Sequence, residues 1–296
     1  MKYTVLTLFP EITDAFFATS IMAKAVSRGI VEYNAINIRD YAQDKHNTCD
    51  DAPYGGGPGM LMLAEPLGRA LEAAGAEKKN ICPRIFTDFY GLGEEEASRT
   101  SLQGFAEPEP LPAAGTELAA LRPMAGEKPR VIYLSPSGQP FNQALAKELA
   151  GCAELVLLCG RYEGIDQRII DLYVDDEISV GDYVLSSGEA AALVIIDATY
   201  RLVDQVITPA SLDEESFSGG LLEYPQYTRP EVYDMIKVPD ILLSGHHENI
   251  RRWRLRKRIE KTLALRPDLI HQGEEAGLFD AETCAIIEEL EKNERN

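Results

Sequence analysis

Three short apolar runs, each followed by a glycine-containing turn, constrain the fold of this chain more than any other feature. Val131–Leu134 precedes Ser-Pro-Ser-Gly, Leu155–Cys159 precedes Gly-Arg-Tyr-Glu-Gly, and the pair Ile178–Val180 and Tyr183–Leu185 precedes Ser-Ser-Gly. Such runs are typical of buried, parallel strands. Each turn alone could be an ordinary tight turn. Because ligands of α/β proteins bind at the carboxyl ends of the strands, the three together predict one shared pocket.

The flanking segments alternate as expected for an α/β domain. Tyr3–Leu8 and Val31–Ile38 predict strands, and residues 11–28 between them predict a helix. Residues 61–76 predict another helix, which starts near Glu65-Pro66, and Phe141–Ala150 predict a further one with Asn142 near its start. Residues 189–203 predict an apolar helix that starts directly after the third turn, so its positive N-terminus would face the pocket.

Changes in composition divide the chain into two domains. Residues 78–128 carry five prolines, an acidic run and little periodicity, which predicts an inserted surface segment. Residues 208–220 are polar, acidic and glycine-ended, which is typical of a linker. We therefore expect an α/β domain at 1–207 and a smaller, mostly helical domain at 221–296.

The charge distribution bears on nucleic-acid binding. The net charge of −19 argues against indiscriminate binding to nucleic acid. Residues 251–261 nevertheless carry seven basic side chains against Glu260 alone. This basic stripe could bind phosphates, or it could be a solvated helix face.

The sequence also favours a reduced, aqueous compartment. No apolar run reaches the ~18 residues needed to span a bilayer, and the first residues lack the pattern of a signal peptide. The five cysteines are odd in number and include no Cys-x-x-Cys pair, so a structural zinc site is not expected. A cytoplasmic protein without a membrane segment is predicted.

Residues 39–62 contain a glycine-rich loop of another kind. The loop is not a P-loop, because no Gly-Lys-Ser/Thr follows its glycines, and their spacing does not give Gly-x-Gly-x-x-Gly. Ordering such a loop costs conformational entropy, which favours a site that a ligand orders. A plain surface loop is the alternative.

Six motifs together resemble the bacterial tRNA (guanine-N1)-methyltransferases, the TrmD family of the SPOUT superfamily. The motifs are DDAPYGGGPGMLM (50–62), YLSPSGQ (133–139), LCGRYEGID (158–166), ISVGDYVLSSGE (178–189), ESFSGGLLEYPQYTRPEV (215–232) and LLSGHHENIRRWR (242–254). They span nearly the whole chain apart from 78–128 and the tail. Six motifs in this order are far more specific than any single glycine pattern.

The resemblance implies a fold, a reaction and partners. The α/β domain would contain a deep trefoil knot, an exception to the rule that chains are unknotted. The chain would act as a homodimer with its active site between subunits. It would transfer a methyl group from S-adenosylmethionine to N1 of guanine 37 of tRNA, which follows another guanine. Magnesium would be required, and the helical domain would help to hold the tRNA.

The resemblance also implies site residues. The cofactor pocket would be lined by Tyr133, Leu134, Ser135, Pro136, Gly160, Glu163, Gly164, Ser179, Val180, Gly181, Tyr183, Leu185 and Gly188. The tRNA would be contacted by His46, Asp50, Gly55, Gly56, Gly59, Arg161, Ser244, Arg251 and Arg252. No particular magnesium ligand is implied.

Catalysis would fall to a carboxylate and an arginine. The family's arginine corresponds to Arg201 and its acid–base residue to position 215, where this chain has Glu215 in place of aspartate. Asp213 or Glu214 could replace it as the base. Ser187 is a second departure, since a Gly-Gly pair would be expected there, and its Cβ could crowd the cofactor.

Two other functions fit parts of the sequence. One is a different SPOUT methyltransferase, acting on a ribose 2′-hydroxyl or on ribosomal RNA. The linker carboxylates argue against it, because a base is needed to remove a ring-nitrogen proton. The other is a non-enzymatic RNA-binding module, which would not require the intact pocket motifs.

Overall fold

The computed structural model describes residues 1–79, 128–208 and 215–294. The chain forms two compact units, Met1–Val206 and Ile207–Asn296. The predicted insert at 78–128 lies almost entirely outside the described residues, and Asp213 and Glu214 lie outside them too.

The first unit is built on a five-stranded parallel sheet. The strands of this unit are β1 (Lys2–Thr7), β2 (Glu32–Asn37), β3 (Asp50–Asp51), β4 (Leu61–Met62), β5 (Arg130–Pro140), β6 (Glu154–Leu158) and β7 (Asp176–Ser179). The sheet has the order β2-β1-β6-β5-β7, and β3 and β4 form a separate antiparallel pair. The predicted α/β class with a parallel sheet is confirmed.

Helices cover both faces of this sheet. They are α1 (Pro10–Phe17), α2 (Ser20–Ser27), α3 (Ala64–Ala73), α4 (Gln143–Ala150), α5 (Gln167–Tyr173) and α6 (Glu189–Tyr200). One core cluster includes Val5 and Leu157 with α1, α2, α4 and α6, and another includes Leu6 and Leu158 with α3 and α5. Because successive strand residues face opposite layers that are both buried, Val131–Leu134 of β5 and Leu155–Leu158 of β6 are apolar without alternation.

One prediction from hydrophobic periodicity is wrong in detail. The predicted helix at 11–28 is two helices, because Thr19 adopts an extended conformation between them. The helix predicted within 61–76 begins at Ala64, next to the expected start near Glu65-Pro66, and Leu61 and Met62 before it form β4. Likewise, α4 begins as expected after Asn142, whose side chain accepts a hydrogen bond from the Leu145 amide at 3.0 Å.

The predicted strand at Tyr183–Leu185 is also wrong. Strand β7 ends at Ser179, and the chain then turns at Gly181, where φ is 150°. Val184 is 87% exposed, so this apolar run lies on the surface of the unit instead of in its core.

The second unit is mainly helical. It contains the short strands β8 (Val232–Tyr233) and β9 (Ile236–Lys237) and the helices α7 (Asp240–Leu243), α8 (His247–Leu265), α9 (Pro267–Glu275) and α10 (Ala281–Glu294). Its small core centres on Leu221, Ile259, Ile270 and Ile287. Within the described ranges of both units, no helix is long and apolar enough to cross a membrane.

Candidate active site

A cavity of about 340 Å³ lies at the carboxyl ends of β5, β6 and β7. This volume is in the range typical of small-molecule sites. The lining includes every residue that the sequence predicts for the cofactor pocket, namely Tyr133, Leu134, Ser135, Pro136, Gly160, Glu163, Gly164, Ser179, Val180, Gly181, Tyr183, Leu185 and Gly188. The predicted convergence of the three turns is thus observed, whereas cofactor binding by these residues stays a prediction.

The first turn is an excursion within β5. Leu134 and Gln139 both pair with Ile178 of β7. The chain therefore leaves the β5–β7 ladder after Leu134 and rejoins it at Gln139. The excursion exposes Ser135 and Pro136 to the cavity while the strand continues beyond it. A register shift of this kind is how sheets re-aim side chains next to binding sites.

The second and third turns are joined to each other through their backbones. The Gly188 amide donates a hydrogen bond to the Gly160 carbonyl at 2.9 Å, and Arg161 pairs with Ser187 as an antiparallel bridge. A Cβ at Gly188 would lie 2.8 Å from the Cys159 Cα. The close approach therefore requires glycine, and it brings peptide groups to the edge of the cavity.

Two titratable groups at this site are held protonated. Burial, and then the charge of Glu177, raise the pKa of Tyr133 to about 12. Burial, and then the nearby Glu189 carboxylate, raise the pKa of the Cys159 thiol well above its ordinary value. Both groups therefore stay protonated at neutral pH.

The glycine-rich loop lies against the second turn. The Glu163 amide donates to the Met60 carbonyl and the Met62 amide donates to the Gly164 carbonyl, both at 3.0 Å. Gly59 has a φ of 87°, and a Cβ there would lie 2.3 Å from the Glu163 Cγ. The sequence showed the loop and the turn as separate motifs, and the structure brings them together.

Three residues near the cavity were missed by the sequence analysis: Thr7, Phe9 and Glu189. The Arg161 guanidinium, which lines the cavity, lies 4.2 Å from the centroid of the Phe9 ring. The Thr7 hydroxyl donates to the Glu189 carboxylate at 2.5 Å. Phe9-Pro10 ends a strand at the same sheet edge as the three turns, and this signal could have found the group.

The two residues predicted for catalysis lie in different units. Arg201 is half-buried and caps the C-terminus of α6 in the first unit. Glu215 is half-buried in the second unit, where its carbonyl accepts a hydrogen bond from the Ser218 amide at 3.1 Å. Their catalytic roles stay predictions.

The family is decided by comparison with known proteins. The model of the family described as "tRNA (Guanine-1)-methyltransferase TrmD" matches residues 1–88 and 107–272. The chain belongs to this family.

Curated relatives of the TrmD family agree along almost the whole chain. A tRNA (guanine-N(1)-)-methyltransferase of Treponema denticola is 54% identical, with 98% of this chain and 99% of the relative aligned. The Treponema pallidum protein of the same description is 48% identical over 98% and 96% of the two chains. That of Borrelia hermsii is 49% identical over 91% and 92%.

The predicted tRNA contacts of this TrmD-family chain are distributed over both units. His46, Asp50, Gly55, Gly56 and Gly59 lie in the first unit, and none of them lines the cavity. Ser244, Arg251 and Arg252 lie in the second unit and are exposed. Arg161 is the member of the predicted set that lines the cavity.

The basic stripe is paired with acids rather than simply solvated. Arg251 forms ion pairs with Glu248 of its own helix at 2.9 Å and with Glu282 of α10 at 2.7 Å. Arg252 pairs with Glu248 at 3.1 Å. Because exposed ion pairs contribute only ~0–1 kcal/mol, phosphates could displace these carboxylates.

The described ranges contain no cluster of side chains that could bind a metal ion. Among residues 1–79, 128–208 and 215–294, no group of three or more His, Cys, Asp or Glu side chains could hold a metal ion. The magnesium requirement implied by the family resemblance therefore has no assigned ligands.

Proposed function

We infer that this chain transfers a methyl group from S-adenosylmethionine to N1 of guanine 37 in tRNA. The observation that carries the inference is the cavity at the carboxyl ends of β5, β6 and β7, lined by the glycine turns of a TrmD-family chain. We also propose that the protein works in the cytoplasm and that its first unit contains a deep trefoil knot.

The cavity fits the cofactor by its lining. Peptide groups of the joined turns can hydrogen-bond the polar ends of a ligand. Leu134, Ile178 and Leu185 offer apolar contacts. When bound, S-adenosylmethionine supplies an electrophilic methyl group on its sulfonium.

Glu215 acts as the general base in this proposal. Guanine N1 carries a proton and is a poor nucleophile until that proton leaves. A positioned carboxylate that accepts the proton typically contributes ~10²–10⁴-fold to the rate. Glutamate is one methylene longer than the family's aspartate but keeps the carboxylate, and Asp213 is the second candidate.

Arg201 stabilises the negative charge that develops on guanine O6 as N1 loses its proton. A fixed cation at the position where charge develops is among the strongest contributions that a protein makes to catalysis. The other steps require positioning: Arg161, His46, Asp50 and the loop glycines would contact the tRNA near the target base. Ser244, Arg251 and Arg252 would contact its backbone.

The reaction and the base are tested together by one assay. Methyl transfer to a tRNA transcript with guanine at positions 36 and 37 is measured for wild type and Glu215→Gln, and the methylated base is identified by mass spectrometry. We expect N1-methylguanine from wild type and a fall of ~10²-fold or more in the variant. Equal rates for wild type and Glu215→Gln would assign the role of general base to Asp213 or Glu214. Ribose methylation by wild type would overturn the proposed reaction.

We further propose a homodimer whose active site combines Arg201 of one subunit with Glu215 of the other. Exposed apolar side chains at the third turn support an interface there, since Val184 is 87% exposed and Tyr183 and Leu185 are also exposed. A heterodimer of Arg201→Ala and Glu215→Gln subunits, purified through two affinity tags, would then contain one intact site. It should recover roughly half the wild-type activity, whereas no recovery would place both residues in one subunit.

Magnesium is proposed as an activity requirement on the family resemblance alone. The proton transfer and charge stabilisation described above involve side chains of the chain itself. Titration of activity with magnesium after treatment with a chelator tests the requirement, and full activity without the ion would contradict it.

A further inference from the structure

We infer that Thr7 and Phe9, in the turn between β1 and α1, are positioning residues for the cofactor cavity. Thr7 acts through Glu189 on the third turn, and Phe9 acts through Arg161 on the second. The inference rests on the proposed function, because the cavity is taken as the cofactor site. Neither residue lines the cavity itself.

The Thr7–Glu189 hydrogen bond is the first link. Glu189 is the first residue of α6 and follows Gly188 of the third turn directly. It is only 2% exposed, and its Oε1 accepts the Thr7 hydroxyl at 2.5 Å. Its Oε2 is buried and has no hydrogen-bond partner among the described residues. Among the described residues, the Thr7 hydroxyl thus donates the side-chain hydrogen bond to the Glu189 carboxylate. The N-terminus of α6 also stabilises this carboxylate electrostatically.

The second link runs through the same turn. The Phe9 amide donates a hydrogen bond to the Thr7 hydroxyl oxygen at 2.9 Å, which holds the Phe9 backbone next to the Thr7–Glu189 pair. The ring then lies beneath the Arg161 guanidinium at 4.2 Å. A cation over an aromatic face is attracted by the ring's electron density, so Phe9 restricts where Arg161 can point.

Loss of the Thr7 hydroxyl would therefore disturb the cavity from outside. A buried carboxylate that loses its donor is strongly disfavoured, and it is relieved either by taking up a proton or by movement of the α6 N-terminus toward water. That movement would pull Gly188 from Gly160, because these two residues share a hydrogen bond. Cofactor affinity should fall without any change in a residue that touches the cofactor.

The chain offers a matched control on the same strand. Thr4 of β1 is 1% exposed, and its hydroxyl donates to Glu154 at 2.9 Å. Glu154 begins β6, so this pair lies at the end of the sheet opposite the cavity. Thr4→Val removes a Thr–Glu hydrogen bond from the same strand far from the turns, although Glu154 is partly exposed and keeps its ion pair with Lys2 at 2.9 Å.

The test is the dissociation constant for S-adenosylmethionine, measured by calorimetry on full-length protein. We expect Thr7→Val to weaken binding roughly tenfold, and both Thr7→Ser and Thr4→Val to bind like wild type. If Thr7→Val does not fold, Thr7→Ala takes its place. Wild-type affinity in the Thr7 variant, or equal weakening in the Thr4 variant, would overturn the inference.

Phe9 is tested through tRNA instead of the cofactor. Phe9→Leu should raise the KM for tRNA several-fold with little change in kcat, and Phe9→Tyr should restore it because the aromatic face returns. Phe16→Leu, an aromatic change on α1, should leave the KM unchanged. An unchanged KM in Phe9→Leu would remove this link. Failure of wild type itself to bind S-adenosylmethionine would instead overturn the proposed function.

Discussion

The Gly188→Ala substitution probes the contact between the second and third turns. The added Cβ would lie 2.8 Å from the Cys159 Cα, 3.0 Å from the Gly160 nitrogen and 3.2 Å from the Cys159 carbonyl carbon. Ordinary contacts start near 3.4 Å, so the backbones must separate by about 0.6 Å, the difference between 3.4 and 2.8 Å. All three atoms belong to the backbone, and no flexible side chain can yield.

The expected cost follows from two effects. Inserting a methyl group into a packed region costs typically ~1–3 kcal/mol. Weakening the Gly188–Gly160 hydrogen bond adds ~0.5–1.5 kcal/mol. The free energy of unfolding of the first unit should thus fall by about 2–4 kcal/mol. Gly188 has a φ of −77°, so the effect is steric and not a matter of backbone strain.

Two measurements on each variant check this reasoning. Denaturant unfolding gives the loss of stability, and calorimetry gives the affinity for S-adenosylmethionine, which should weaken at least tenfold because the turns that line the cavity separate. Gly68→Ala is the control, since its Cβ would meet only ordinary contacts of 3.6–3.8 Å inside α3. It should be neutral or stabilising by up to ~1 kcal/mol. Equal stability and affinity for Gly188→Ala and wild type would refute the steric argument.

Four further variants test other parts of the site. Gly59→Ala should lower methyl transfer, because its Cβ would displace the Glu163 side chain and its φ of 87° disfavours alanine; wild-type turnover would contradict the loop's supporting role. Arg201→Ala should abolish transfer yet leave cofactor affinity, measured by calorimetry, within about twofold, and normal turnover would exclude Arg201 from the mechanism. Arg251→Gln with Arg252→Gln should weaken tRNA binding and flatten its dependence on salt. Glu282→Gln should strengthen binding modestly, because it removes one of the two acids that pair with these arginines and leaves Glu248 in place. Unchanged salt slopes would identify the stripe as a structural ion-pair network.

The strands beneath the cavity could be predicted from the sequence because burial on both faces leaves a local signature. Val131–Leu134 and Leu155–Leu158 form the buried parts of β5 and β6, where burial between two helical layers favours apolar side chains on both faces. The same pattern gave a wrong strand prediction at Tyr183–Leu185. This segment is equally apolar, but the turn at Gly181 places it on the surface. Hydrophobicity alone does not distinguish a buried strand from an exposed apolar loop.

The sequence by itself determined which turns would meet, since the carboxyl ends of neighbouring parallel strands share one edge whatever the loops contain. Only the tertiary structure decided what supports those turns. The contacts of Gly59 with Glu163, of Phe9 with Arg161 and of Thr7 with Glu189 join residues more than a hundred positions apart. The pairing of Arg251 with Glu282 likewise depends on which face α10 presents to α8. Such contacts leave no periodic trace in a single chain, because they arise from packing between elements and not from the preferences of either element alone.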